Sequence, residues 1–174
     1  PEAIRLSVPI IKEIIRAYRI PILEVAGYEA DDVIGTLSTE AGRQGIITYM
    51  MTPDKDYGQL VSDKVFMYRP KHTGGFEVMG VDEVKAKFDI QSPAQVIDML
   101  GLMGDSSDNI PGCPGVGEKT AQKLIAEFGS IENLLEHTDQ LKGALKTKVE
   151  TNREMITFSK FLATIKIDVP IQLD

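Results

Sequence analysis

The sequence predicts an α/β fold, a mostly parallel sheet flanked by helices, followed by an all-helical part. Three observations lead there. Residues 20–25 and 46–51 are short apolar runs of strand length. Between them, residues 30–42 take up helical period through Val33, Ile34, Leu37 and Ala41. Beyond Gly80 the strand patterns stop and only helical pieces follow. Alternating strands and helices make a parallel sheet, so the chain divides into an α/β portion, 1–80, and a helical portion, 81–174.

Taken in order, residues 2–18 place Ile4, Val8, Ile11, Ile14 and Ile15 at helical spacing, with Pro9 expected to kink or delay that helix. Pro1 opens the segment. Residues 20–25 follow as a short buried strand, closed by Gly27. After the helix at 30–42, residues 46–51 suit a strand covered on both faces. A short helix is expected near 57–61 and a third strand at 65–68. Gly74-Gly75 then turns the chain back through 76–79. Residues 81–88 and 92–103 are helical, the second capped by Ser92 with Pro93 in its first turn. From Gly117 to about Ile165 the chain is helical in short pieces.

Hydrophobic residues make up 43% of the 174, enough for a real core. The charge is −7, from 26 acids against 19 Lys and Arg. That argues against wrapping of nucleic acid by overall charge, and leaves room for a local basic or amide-rich patch. The single cysteine, Cys113, permits no internal disulfide and fits a cytoplasmic protein. It reads as a small packing residue. No apolar run approaches membrane length. His72 and His137 are isolated, expected on the surface, and carry no assigned role.

Three acidic clusters stand out. Glu29, Asp31 and Asp32 follow the first expected strand and open a helix. Asp54 and Asp56 follow the second. Asp105 and Asp108 follow the helix ending near Met103. Each has an ordinary explanation, because acids favour helix N-termini and Asp caps turns. Their joint placement says more. The first two clusters share the carboxyl edge of the sheet, where α/β folds bind ligands. Five carboxylates gathered there repel one another unless cations neutralise them, and Mg²⁺ or Mn²⁺ takes such oxygen ligands. Removing these seven acids from 26 leaves 19, equal to the 19 basic residues. A charge kept for solubility accounts for −7 equally simply.

Gly115-Val116-Gly117-Glu118-Lys119-Thr120-Ala121 precedes an apolar helical run. Gly-x-Gly before a helix exposes backbone amides that can hold a phosphate, and Lys119 adds a cation in the first turn. Such a grip reads no bases and is independent of sequence. The ordinary explanation is a tight interhelical turn. Its nearness to Asp105 and Asp108, with only 109–114 between, favours the phosphate.

Four stretches together resemble the 5′-nuclease (5′→3′ exonuclease) domain of bacterial DNA polymerase I, in the flap endonuclease family. They are Gly27-Tyr-Glu-Ala-Asp-Asp-Val-Ile-Gly35, Asp54-Lys-Asp56 with Gln59-Leu-Val-Ser62, Leu102-Met-Gly-Asp-Ser-Ser-Asp-Asn-Ile-Pro-Gly112, and Pro114-Gly-Val-Gly-Glu-Lys-Thr-Ala121. The resemblance implies a PIN-like nuclease core and a two-metal phosphodiesterase. Glu29, Asp31, Asp32, Asp54, Asp56, Asp105 and Asp108 match its acids. Gly115, Val116, Gly117, Lys119 and Thr120 match its helix–three-turn–helix, which grips the duplex backbone, often with a monovalent cation. It further implies two divalent cations (Mg²⁺ or Mn²⁺), DNA with 5′ flaps, nicks or 5′ ends as substrate, and polymerase domains on the same polypeptide.

One departure enters as an expectation. The family's first strand with its Asp, a second Asp and a basic arch have no counterpart here, so the core is expected to be incomplete at its N-terminal side. Residues 168–174 resemble the domain's end. Cleavage is expected only once the missing segment is supplied. The alternative is a non-catalytic, sequence-independent DNA-binding module whose acids merely cap helices.

Overall fold

A computed structural model describes residues 2–71 and 73–172. Pro1, His72 and the last two residues of the 168–174 terminus lie outside them. Among the described residues no helix is long and apolar enough to cross a membrane.

Helix α1, Glu2–Ala17, runs unbroken through Pro9. The proline removes one ladder donor without ending the helix, so the late start that was one of its two expected effects is not found. None of its described residues is buried. An ion pair from Lys12 to Glu24 at 2.5 Å ties it to the segment that follows.

That segment forms no strand, which corrects the expectation for 20–25. A strand persists only where a neighbour satisfies its backbone groups. Among the described residues no strand lies beside this one, and Ile20 and Leu23 are more than half exposed.

Helix α2, Ala30–Arg43, forms as its period indicates. The sheet consists of β1 (Thr48–Met51), β2 (Val65–Pro70) and β3 (Phe76–Met79) in that order. β1 and β2 are parallel, with Thr48 opposite Val65, and a 3-10 turn at Lys55–Leu60 lies between them. β2 and β3 form the expected hairpin, with Met67 opposite Met79. Gly74 and Gly75 make its turn at φ +86° and +78°, where other residues are strained.

Only one sheet face is covered. Met50, Val65, Met67 and Met79 are buried, while Tyr49, Met51, Phe76 and Val78 are exposed. On the open face Tyr49 stacks on Phe66 at 5.6 Å and Tyr68 on Phe76 at 4.6 Å. The two-faced burial expected of β1 is therefore not found.

The rest is helical: α3 (Val81–Phe88), α4 (Val96–Met103), α5 (Glu118–Phe128), α6 (Ile131–Glu136), α7 (Gly143–Thr151) and α8 (Arg153–Ala163). A 3-10 turn, Pro93–Gln95, leads into α4, with the expected Ser92 and Pro93 at its start. Helix α4 is apolar around most of its circumference, as a central helix must be. Val96, Met99, Leu100 and Leu102 have no exposure. One apolar cluster runs from Met50 and Met67 of the sheet through α4 to Ile125, Ile131, Leu134, Val149 and Ile156. Gly101 lets α8 approach, since a Cβ there would meet the Lys160 Cα at 3.1 Å. Buried Asp98 fixes the crossing by accepting from Ile131 N at 2.9 Å and Lys160 Nζ at 2.6 Å.

Candidate active site

All seven acids picked from the sequence lie in the described structure, and three of them come closest together. Carboxylate oxygens of Asp56, Asp105 and Asp108 lie within 4.8 Å of one another. Asp56 and Asp105 are buried and Asp108 is exposed. A cavity of about 250 Å³ adjoins them, lined by Glu29, Asp31, Asp32, Asp56 and Asp108 on its acidic side. Ile110 and residues 162–165 form the remaining wall.

Backbone geometry sets these positions. Asp105 and Asp108 lie in a loop between α4 and α5 that closes on itself. Asp105 and Ile110 exchange backbone hydrogen bonds at 2.9 and 2.8 Å. Gly104 and Gly112 sit at φ +74° and +63°. A Cβ on Gly112 would lie 2.3 Å from the Gly104 nitrogen, so no larger residue fits. The Gly112 N–H donates to the Ser159 hydroxyl of α8 at 2.9 Å. From the sheet side, Asp54 caps the 3-10 turn by accepting the Asp56 N–H at 3.0 Å. That bond delivers Asp56 inward.

The remaining acids divide by partner. Asp32 accepts from the Glu29 N–H at 3.3 Å and the Lys166 N–H at 2.9 Å, so both its oxygens serve the backbone. Asp31 accepts the Tyr57 hydroxyl at 2.7 Å. Asp54 lies outside the close trio. For Asp32 and Asp54 the capping role foreseen for acids at helix starts is thus realised, beside the cavity in one case and beside the trio in the other.

Electrostatics separate the trio. Burial, then the charges of Asp54 and Asp105, push the Asp56 carboxyl up to about 7. Burial also raises Asp105, but the Lys55 ammonium and the Ser107 amide outweigh it and hold Asp105 below the usual carboxylate range. Lost solvation and the charges of Asp105, Asp54 and Asp31 push Asp108 upward. Oδ1 of Asp56 is buried with no hydrogen-bond partner. An orphaned buried carboxylate oxygen, with two more carboxylates within reach, fits an oxygen-seeking divalent cation.

The glycine hairpin begins at Gly115, five residues past the acid loop's last backbone bridge at Ile110, with residues 111–114 between. Gly115 takes φ +77°, and a Cβ there would lie 2.5 Å from Lys148 Nζ, which donates to the Gly115 carbonyl at 3.3 Å. Gly117 precedes α5 with extended backbone, and its missing side chain faces open space. Lys119 is exposed and Thr120 half-buried. Val116 is buried, so its side chain is packing, and its N–H donates to the Cys113 carbonyl at 2.9 Å. Cys113 is buried, and burial pushes its thiol up, as for a packing residue. His137 is half-buried rather than fully exposed, with Nδ1 2.9 Å from the Asn133 carbonyl.

Three residues escaped sequence reasoning. Lys55 forms an ion pair with Asp105. Tyr57 holds Asp31. Gln59 bonds the Ala163 carbonyl and the Ile165 N–H, each at 2.9 Å, and so fixes the cavity's far wall. Lys55 and Gln59 lay inside a quoted motif, but a side chain that reaches another element leaves no periodic signal.

Comparison with known proteins gives the family and the fold. Residues 1–89 match the model of the 5′-3′ exonuclease N-terminal resolvase-like domain, and 91–174 that of the 5′-3′ exonuclease C-terminal SAM fold. DNA polymerase I of Bacillus caldotenax is 43% identical over 99% of the chain, and that of Bacillus subtilis 45% over 99%. The chain spans about a fifth of the length of each, 20%. Among solved structures, T5 5′-exonuclease with bound zinc superposes at TM-score 0.74 and 23% identity, over 83% of this chain and 52% of that one. The bacteriophage T5 D15 flap endonuclease, in a complex with DNA and metal ions, superposes at 0.73 and 23%, over 90% and 55%. These two likenesses show the fold. With both halves matched by the family's own models, the chain belongs to the 5′-3′ exonuclease family.

Proposed function

We propose that this chain is the cation- and duplex-binding part of a nuclease that hydrolyses phosphodiesters at 5′ ends, nicks and 5′ flaps of DNA. The observation that carries the reading is the orphaned Asp56 oxygen inside the Asp56–Asp105–Asp108 trio. Bound divalent cations would lower the pKa of a water to make a nucleophile and stabilise the leaving oxygen.

The chain's own residues do the rest. Asp56, Asp105 and Asp108 hold cation, with Glu29 and Asp31 facing the same cavity. Asp32 and Asp54 fix the backbone that presents them. The Gly115–Thr120 segment offers exposed backbone and Lys119 to a duplex phosphate, without reading bases. Lys148 at the Gly115 carbonyl supplies a cation where a monovalent ion would otherwise serve. The closed acid loop joins grip and trio, so a duplex held at one is placed relative to the other. Full-length relatives carry polymerase domains as well, and we propose the same neighbours here. The buried free thiol of Cys113 accords with a reducing cytoplasm.

The test is calorimetric titration with Mn²⁺, followed by cleavage of a 5′-flapped duplex with Mg²⁺ and with chelator. The expected result is Mn²⁺ binding that Asp105→Asn weakens at least tenfold, and metal-dependent 5′ cleavage by the full-length protein. Asp32 and Asp54, as caps, favour the alternative of a non-catalytic DNA-binding module. Duplex binding without any Mn²⁺ binding would establish that module and overturn the nuclease.

A further inference from the structure

Among the described residues, one ion pair reaches any of the seven candidate acids, and it is Lys55 with Asp105. Lys55 lies between Asp54 and Asp56 at the start of the 3-10 turn. Its ammonium contacts Oδ2 of Asp105, whose side chain is 5% exposed, while Lys55 itself is 35% exposed. The other Asp105 oxygen accepts the Ser107 N–H at 2.9 Å. Oδ2 is therefore the oxygen that Asp105 has left for a cation, and the ammonium holds it.

We propose that Lys55 is a built-in counter-ion, which keeps the acid trio assembled without metal and must be displaced by the incoming divalent cation. This rests on the metal reading of the same site. It also stands on the Asp56 side chain, 7% exposed with an unpartnered oxygen beside the trio. The geometry sets a competition. One carboxylate oxygen does not hold an ammonium and a divalent cation at bonding distance together, because the two positive charges would sit almost in contact. Lysine suits the part. Its compact charge rides a flexible stem, and a third of the side chain already meets solvent, so it can swing away with little rearrangement. A forked, planar guanidinium would grip the carboxylate harder.

Two opposite effects follow from removing the charge. The metal-free trio loses its only ion pair and repels itself more. The cation loses a competitor and binds better. A ligand-scaffolding lysine would share the first effect and reverse the second, since its removal would loosen the site and weaken the metal.

The experiment uses the 174-residue chain with Lys55→Met and Lys55→Arg. Mn²⁺ affinity is measured by calorimetry, and thermal unfolding is followed in chelator and in Mn²⁺. Lys55→Met is expected to melt lower in chelator and to bind Mn²⁺ about tenfold tighter, the effect of taking one like charge from beside a site. Lys55→Arg is expected to melt like the parent and to bind Mn²⁺ no tighter. Equal or weaker Mn²⁺ binding by Lys55→Met, with the parent binding normally, overturns the counter-ion and leaves the metal site standing. A parent that binds no Mn²⁺ overturns both. Should Lys55→Met fail to fold in chelator, rescue by Mn²⁺ supports the proposal and failure of rescue overturns it.

Discussion

Asp56 joins the two halves of the site's electrostatics. Its carboxyl titrates near 7 in the folded chain, against an ordinary value of 3.8. A raised carboxyl favours the folded state while protonated. Its contribution is complete below about pH 4 and is lost as pH rises through about 7. Metal-free protein should therefore lose stability between those values, and Asp56→Asn should flatten that slope. Urea unfolding in chelator at several pH values measures it. A slope unchanged in Asp56→Asn would place the titrating group elsewhere.

Gly112 gives a second expectation at this scale. Its positive φ and the 2.3 Å approach to the Gly104 nitrogen leave no room for a methyl group. Backbone strain alone costs about 1–3 kcal/mol, and the clash adds to it. Urea unfolding of Gly112→Ala should show a stability lower by at least that much, whereas Gly117→Val, into open space, should keep its stability and weaken duplex binding. A stable Gly112→Ala, or a Gly117→Val that binds duplex normally, would contradict the close approach or the hairpin's role. From the sequence, Gly104 and Gly112 could be placed in a loop. That the Gly104 backbone excludes a Cβ on Gly112 depends on a contact across eight residues, which no local pattern reveals.

Among the elements, α1 and α8 show how burial overrides periodicity. Both helices carry apolar spacing of the same kind. Ile156 of α8 is completely buried, while Ile11 of α1 is 50% exposed. Ile156→Ala should cost about 2–5 kcal/mol. Ile11→Ala should cost under about 0.5 kcal/mol. Chemical denaturation measures both, and comparable losses would mean that α1 is packed in solution. The expected strand at 20–25 failed for a related reason. Its apolar composition suits a strand, but pairing needs a neighbour. The two-faced burial expected of β1 failed likewise: alternation cannot reveal that Tyr49 and Met51 face an uncovered side. The hairpin, the α2 period and the caps at Ser92 and Asp54 were legible because turn chemistry and capping are local.

For the whole molecule, charge is distributed by task. The chain is acidic overall at −7, yet the surface proposed for duplex is a glycine hairpin with Lys119 and Lys148. Duplex binding should weaken with salt, with a modest slope set by few phosphate contacts rather than by the net charge. Titrations at two or more salt concentrations would measure it. A salt-independent affinity would exclude phosphate gripping. The seven acids could be picked from the sequence as a set because they fall at element ends. Their ranking could not. It depends on which oxygens the backbone already occupies, and Asp32 uses both.

The bond from Tyr57 to Asp31 carries a practical consequence. The chain has no tryptophan and five tyrosines, so its ultraviolet emission comes from tyrosine alone. Tyr57 is buried, and of the five tyrosines, all among the described residues, it is the one whose hydroxyl donates to a carboxylate, the kind of bond that quenches a phenol. A cation that drew Asp31 toward the cavity would loosen that bond and brighten the emission. Metal occupancy can then be followed by fluorescence in the unlabelled protein, with Tyr57→Phe as the silent control.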